Sequence, residues 1–320
     1  MRVFGASEIR ALAPMPRLVE SLREAFRDPP NPPGRQMTPI PGGKGDRLLL
    51  SMPAFDGEGD GVIKLVTIFP DNGEKDLPTI QAALVVFSKT GTPVALLDGA
   101  ILTRLRTGAA SALASTYLSR PDSAHLVVIG TGALAPYMAL GHCAVRPIGR
   151  VTVAGRQEER TQETVTEIRS LIGAEIEVEV ATSLEKVIPV ADIVCCATSS
   201  TQPVLAGKWL RPGTFVDLVG GFSPAKREAD DEAVLRSRLF VDTFEGALAE
   251  AGDLLQPLEQ GLITRDRIEG ELSDLVSGRA TGRRGADEIT LFKSVGTAIE
   301  DLAAARLIVE AAGEAGLGKS

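Results

Sequence analysis

Cysteine and histidine are scarce in this 320-residue chain. The cysteines are Cys143, Cys195 and Cys196, and none forms a C-x-x-C pair, so the sequence reads as that of a reduced, cytoplasmic protein without a disulfide framework. Cys195 and Cys196 lie in a strand-like run, DIVCCAT, and read as small buried apolar residues. The histidines, His125 and His142, have no cysteine or histidine at ligand spacing, so no structural zinc or other metal site is expected. Positive charge is also short. Lys+Arg total 34 against 42 Asp+Glu, a net charge of −8, which argues against a nucleic-acid partner or an anionic membrane surface and leaves room for a local cationic pocket. No apolar run reaches the roughly 18 residues of a spanning helix. MRVFGASEIR at the start shows no charged segment leading into an apolar core, so no secretory signal is expected. The length is sufficient for two domains of ordinary size.

What is present begins with HLVVIGTGALA, residues 125–135. An apolar run ends in Gly130-Thr131-Gly132 and a helix-compatible stretch follows, with Ala135 at the third small position of G-x-G-x-x-A. A dinucleotide pyrophosphate needs this strand–turn–helix order. Gly130 permits the tight turn, Gly132 lets the backbone approach the phosphates, and free N–H groups at Gly132, Ala133 and Leu134 face the negative charge. The alternative is a tight turn in an α/β domain that binds nothing.

The surroundings divide at about residue 120. Before it, a helix is expected over Ser7–Arg27, then a Pro-rich loop. Strand-like runs follow at Arg35–Ile40, Arg47–Pro53, Gly61–Phe69, Ala82–Ser88 and Pro93–Asp98. The turn signals PGGKGD, DGEGDG, PDNGEKD and KTG separate them, which suggests an antiparallel meander. Ile101–Ser119 reads as a helix. From 125 the rhythm is strand and helix in alternation, with strands near 125–130, 150–154, 175–180, 192–197, 214–219 and 239–242 and helices notably at 156–172 and 228–237. That pattern implies a parallel, doubly wound sheet. Ser294–Ala312 reads as an amphipathic helix returning to the first domain, and GEAGLGKS after it as a frayed end. The expected class is therefore α/β: a Rossmann-type doubly wound sheet, residues 120–292, inserted into an α+β substrate-binding and dimerisation domain, residues 1–119 plus 293–320.

Domains that select NAD commonly end their second strand in a carboxylate for the ribose 2′-hydroxyl. Here Val151-Thr152-Val153 runs into Ala154-Gly155-Arg156, with Arg160 one helical turn on. A guanidinium favours a 2′-phosphate, at about 1.5–3 kcal/mol per charged hydrogen bond. NADP(H) is the expected cofactor and NAD(H) the alternative. Pairing of Arg156 and Arg160 with Glu158, Glu159 or Glu163 on a solvated helix face is the competing explanation.

Several segments together resemble the ornithine cyclodeaminase/μ-crystallin family. They are GVIKLVTIFPDN (61–72), TGTPVALLDGAILTRLRTGAASALAS (90–115), VIGTGALA (128–135), VGGFSPAKREAD (219–230), EGALAEAGDLLQPLEQGLI (245–263) and GELSDLVSGRATGRRGADEITLFKSVGTAIEDLAAARL (270–307). They occur in order over nearly the whole chain. The resemblance implies a homodimer, each subunit with a nicotinamide dinucleotide domain and a substrate domain, acting on small α-amino or α-imino acids.

The resemblance also implies roles for particular residues. Arg35, Lys64 and Arg106 would hold the substrate carboxylate, with Lys64 close to the substrate nitrogen, Val295 beside the substrate, and Arg106 also near a cofactor phosphate. Lys64 interrupts an apolar segment between Ile63 and Leu65, although a strand lysine is more often solvated. Thr198, Val219, Lys226 and Ser294 match cofactor positions. Thr198 could equally be a turn residue, and Ser294 the N-cap of the last helix. Ala83 stands where some members have a cofactor-contacting threonine.

One departure changes the expected chemistry. True ornithine cyclodeaminases carry an aspartate after the two glycines of VGGF, where it moves protons and engages the δ-amine. This chain has Phe222, which does neither. The expectation is NAD(P)H-dependent reduction of a cyclic ketimine, Δ1-pyrroline-2-carboxylate or Δ1-piperideine-2-carboxylate, to L-proline or L-pipecolate. The proton would come from water or from Lys64, should burial and neighbouring cations lower its pKa; Ser223 is a weak relay. The alternatives are an open-chain, alanine-type amino-acid dehydrogenase, an ornithine cyclodeaminase-like enzyme, and a non-catalytic, crystallin-like binding protein.

Overall fold

A computed structural model describes residues 1–42, 47–75 and 77–315. The last four residues of the PGGKGD turn, Asp76 and the last five residues of the expected frayed end lie outside the described residues. The chain forms two compact units, Met1–Arg106 with Thr297–Ser320, and Thr107–Gly296.

The first unit opens with β1 (Arg2–Phe4), α1 (Ala6–Leu12) and α2 (Met15–Arg27). A single helix over Ser7–Arg27 is therefore not what forms. Pro14 has no N–H to donate and its ring would collide with the carbonyl of Arg10, so the helix stops and restarts with Pro14 as the N-cap of α2. Then come β2 (Gln36–Ile40), β3 (Arg47–Phe55), β4 (Gly61–Ile68), β5 (Ile80–Phe87) and β6 (Pro93–Asp98). They form one sheet in the order β1-β6-β5-β4-β3-β2, an antiparallel meander to which β1 adds in parallel. β1 was too short to show any alternation in the sequence. The two faces differ. Leu50, Met52 and Ala54 of β3, Val62, Lys64 and Val66 of β4, and Leu84 and Val86 of β5 are buried on one side. Met52, Lys64 and Leu84 stand directly opposite one another in register. The long helix α3 (Gly99–Leu118) follows, and the division between the units falls within it.

The second unit contains β7 (His125–Ile129), α4 (Ala135–Val145), β8 (Arg150–Ala154), α5 (Glu158–Ile172), β9 (Glu177–Val180), α6 (Leu184–Val187), β10 (Ile193–Cys196), β11 (Phe215–Leu218), α7 (Asp231–Arg236), β12 (Arg238–Val241), α8 (Phe244–Glu250), α9 (Gly252–Glu259), β13 (Ile268–Glu271), α10 (Leu272–Ser277) and β14 (Thr290–Lys293). Its eight strands are all parallel, in the order β13-β12-β14-β11-β10-β7-β8-β9. From β9 to β11 this is the 3-2-1-4-5 order of a Rossmann sheet. The strands are short and buried on both sides, as parallel sheets are; Val127, Val194, Val216, Leu239 and Leu291 share one apolar core. β13 and β14 went unread in the sequence, since four residues such as TLFK, buried throughout, carry no period.

The chain closes in the first unit with α11 (Ala298–Glu314), which packs against α2, β3 and β4. Met15, Leu18, Val19, Leu22 and Phe26 supply the buried stripe of α2, each worth about 1.5–3 kcal/mol when fully buried. α11 starts four residues later than the sequence suggests, and its N-cap is Thr297, whose hydroxyl accepts from the Ile299 N–H. Among the described residues, no helix is long and apolar enough to cross a membrane.

Candidate active site

In the second unit, the expected cofactor residues gather just past the carboxyl ends of parallel strands. Gly130 follows β7, Arg156 follows β8, Thr198 follows β10, Val219 follows β11, and Ser294 follows β14, with the expected substrate residue Val295 next to it. Ligands of open α/β sheets bind at such ends, beside the point where strand order reverses. That point here is between β7 and β10.

The two glycines of the first turn are required for different reasons. Gly130 has φ +125°, and a Cβ there would lie 2.4 Å from the Ala197 carbonyl oxygen. It is a packing glycine. Gly132 has open space within 4 Å of the position a Cβ would take, so nothing in the chain demands glycine there. Gly132 and Ala133 are exposed, and Leu134 is the N-cap of α4. Among the described residues, the amides of residues 131–134 donate no hydrogen bond within the chain. Open N–H groups at the start of an 11-residue helix, under a glycine that packing does not explain, fit a pyrophosphate. Gly155 packs on this turn, with its Cβ position 2.4 Å from Thr131 Cγ2. Arg156 and Arg160 are exposed and, among the described residues, make no ion pair with Glu158, Glu159 or Glu163.

Beneath these loops lies a buried ionic network that the sequence reading missed. The Glu228 carboxylate accepts from the Thr198 N–H at 2.7 Å, the Thr198 hydroxyl at 2.8 Å, the Gly220 N–H at 2.7 Å and the Gly221 N–H at 3.3 Å. The Glu228 and Ala229 amides donate to Asp253, whose other oxygen lies 3.0 Å from Lys293 Nζ. Burial lifts the Glu228 pKa to about 7, although Lys293 and the Thr198 bonds pull it down. Asp242 does similar work after β14, accepting from the Ser294 hydroxyl and from the Val295 and Gly296 amides. Ser294 is therefore not the N-cap of the last helix. Phe222 is half-buried, and the Lys226 ammonium sits 3.8 Å from its ring centre.

The first unit brings Lys64 and Arg106 together through two carboxylates of α11. Lys64 Nζ lies 2.8 Å and 2.7 Å from the two oxygens of Asp301. Arg106 Nε donates to Asp301 at 3.1 Å, and another of its nitrogens pairs with Glu300. All four side chains are buried. Burial first, and Arg106 second, drive the Lys64 pKa down to about 8, with Asp301 opposing them. Glu300 and Asp301 were invisible to sequence reasoning because acids in the first turn of a helix read as favourable partners of its dipole. Their one signal was their position, at the head of a helix whose apolar side had to be buried. Arg35 stands immediately before β2 and is half-buried.

A third buried cluster has no catalytic shape. His142 Nε2 lies 3.1 Å from Asp217, which also accepts from Ser111, and Cys195 lies close by with its thiol pKa raised far by burial. It pins α3 and α4 to β11.

A family model for the ornithine cyclodeaminase/mu-crystallin family matches residues 3–316. The Delta(1)-pyrroline-2-carboxylate reductase of Colwellia psychrerythraea is 38% identical over 315 residues, 97% of this chain and 99% of that protein. Among solved structures, Thermococcus litoralis Delta(1)-pyrroline-2-carboxylate reductase, in complex with NADH and L-proline, is similar with a TM-score of 0.93 and 35% identity, covering all of both chains. An archaeal alanine dehydrogenase dimer with bound NAD is similar with a TM-score of 0.89 and 29% identity, over 100% of this chain and 98% of that one.

Proposed function

The chain belongs to the ornithine cyclodeaminase/mu-crystallin family, and we propose that it is an NAD(P)H-dependent reductase of a cyclic ketimine, forming L-proline or L-pipecolate. The observation that carries this reading is Lys64, a buried strand lysine whose pKa of about 8 makes its ammonium a ready proton donor near neutral pH. When bound, the reduced cofactor supplies a hydride. Lys64 gives its Nζ proton to the ring nitrogen, so that the substrate C2 becomes an iminium carbon able to take that hydride, and the C=N bond becomes a secondary amine. The lysine, left neutral, regains a proton from water. Asp301 holds the ammonium in place and Glu300 orients the Arg106 fork. These carboxylates offset the two cations, so Arg106 and Lys64 recognise the substrate carboxylate through directed donors, and Arg35 adds the third contact.

Phe222 supports imine reduction over cyclodeamination, because a phenyl ring neither transfers a proton nor pairs with a side-chain amine. Arg156, exposed at the β8 tip without an acidic partner among the described residues, supports NADP(H); the complexes of the neighbours with NADH and NAD make NAD(H) the alternative. Leu49, Ile63, Leu65, Ala83, Val85 and Leu96 occupy the half-exposed face of the first unit's sheet, a surface suited to pairing with a second copy of the chain. The second reading, an alanine-type dehydrogenase, rests on the similarity to the archaeal enzyme. Cofactor oxidation followed with Δ1-pyrroline-2-carboxylate, Δ1-piperideine-2-carboxylate, and pyruvate plus ammonia separates the two. Turnover of either ketimine is expected; turnover of pyruvate with ammonia alone would establish the dehydrogenase instead, and dinucleotide binding without any turnover would establish a binding protein.

A further inference from the structure

The Glu228 network is buried and charged, and the chemistry above does not use it. Ala197 and Thr198 abut Gly130 of the first turn, since a Cβ on Gly130 would lie 2.4 Å from the Ala197 oxygen and 3.3 Å from Thr198 Cγ2. Gly220 abuts Thr198 even more closely, at 1.8 Å from its oxygen to the position a Cβ would take. Three segments at the carboxyl ends of β7, β10 and β11 are thus stacked in backbone contact. The carboxylate of Glu228 joins two of them with four hydrogen bonds. We propose that Glu228 is a positioning residue for the dinucleotide: its carboxylate holds the Thr198 loop and the Gly220-Gly221 loop in the geometry that receives the cofactor.

The donors are three backbone N–H groups and one hydroxyl, and every bond needs Glu228 as acceptor. A protonated carboxyl turns one of its acceptor positions into a donor, which sets O–H against an N–H and releases part of the clamp. The groups facing Glu228 are Lys293 from β14, Asp253 from α9, Lys226 from its own loop and the Cys196 thiol from β10; Asp242 in turn favours the charged form of Lys293. Lys293 favours the ionised carboxylate and Asp253 opposes it, and the balance under full burial is a pKa of about 7. The clamp accordingly loosens as pH falls through neutrality.

The inference rests on the dinucleotide reading of the Gly130–Gly132 turn, and titration of NADH and NADPH onto the protein by fluorescence, from pH 6 to 8.5, tests both. The wild type is expected to bind one of them, with a dissociation constant that rises by up to roughly tenfold per unit below pH 7. Glu228→Gln keeps the shape, loses acceptors, and is expected to bind at least about tenfold more weakly at pH 8 with a flatter pH dependence below 7. Glu228→Gln binding like the wild type with an unchanged pH profile, even if it melts earlier, would overturn the inference while leaving the cofactor reading intact. Failure of the wild type to bind either dinucleotide would overturn both. Should Glu228→Gln not fold, Thr198→Val decides: it removes one bond to the ionised form, so the midpoint of the pH profile is expected to rise by roughly 1 unit, and an unmoved midpoint would refute the clamp.

Discussion

Replacing Asp301 with asparagine, Asp301→Asn, keeps the volume and removes one charge from the Lys64–Arg106–Glu300–Asp301 cluster. Lys64 lies 2.8 Å and 2.7 Å from the two carboxylate oxygens, so its ammonium loses a charge-assisted partner outright. Such a bond contributes about 1.5–3 kcal/mol. At 1.36 kcal/mol per pKa unit, that is about 1–2 units. The sign is fixed by which state Asp301 stabilises. It favours the charged lysine, and its removal lowers a pKa that already stands at about 8. The new value falls at roughly 6–7. The assay is kcat/KM for ketimine reduction across pH 5.5–9.5. In the wild type, activity should fall as pH rises through about 8, where the donor is lost. In Asp301→Asn that alkaline limb should move down by about 1–2 units. Stability moves with it. A lysine whose folded pKa is depressed costs stability as pH falls from its unfolded value, about 10.4, down to the folded one, so in the variant that loss should continue about 1–2 pH units lower, to roughly pH 6–7, and level off below it. An alkaline limb that stays near its wild-type position, or moves upward, would show that Lys64 is not the group titrating in catalysis.

Two further substitutions separate ligand recognition from packing. Gly132→Ala should leave the melting temperature within about 1–2 °C, because a Cβ there meets nothing within 4 Å, yet weaken dinucleotide binding at least about tenfold; unchanged cofactor affinity in calorimetry would remove the turn from the site. Arg156→Ala should raise KM for NADPH by about 10–100-fold, the loss of one or two charged hydrogen bonds, and leave KM for NADH nearly as it was. Equal effects on both cofactors would show that Arg156 does not read a 2′-phosphate.

Local signals carried much of this architecture. The glycine turn after β7 was legible because a strand, a sharp turn and a helix leave their marks within eleven residues of one another. Lys64 was legible because a charge inside GVIKLVTI breaks the apolar pattern of a strand. The carboxylates that give these residues their properties were not. Asp301 is 237 positions from Lys64, and Glu228 is 30 positions from Thr198. An acid's partner at such a distance depends on sheet order, and the insertion of β14 between β11 and β12, which places Lys293 beneath the glycine loop, leaves no periodic trace in TLFK. Pro14 marked a break that the apolar spacing of Ser7–Arg27 concealed, since that spacing stays in phase on both sides of it. Glu300 and Asp301 share the first turn of α11 with residues that pack on the sheet, and only their burial separates them from ordinary helix-start acids.

The central claim, that hydride passes from the reduced cofactor to C2 of a cyclic imino acid, is tested most directly by label transfer. The protein is incubated with Δ1-pyrroline-2-carboxylate and reduced cofactor carrying deuterium at both C4 positions of the nicotinamide, and the product is read by NMR. The account predicts L-proline with deuterium at C2 and oxidised cofactor in equal amount. Unlabelled proline, or cofactor consumption only when pyruvate and ammonia replace the ketimine, would contradict it.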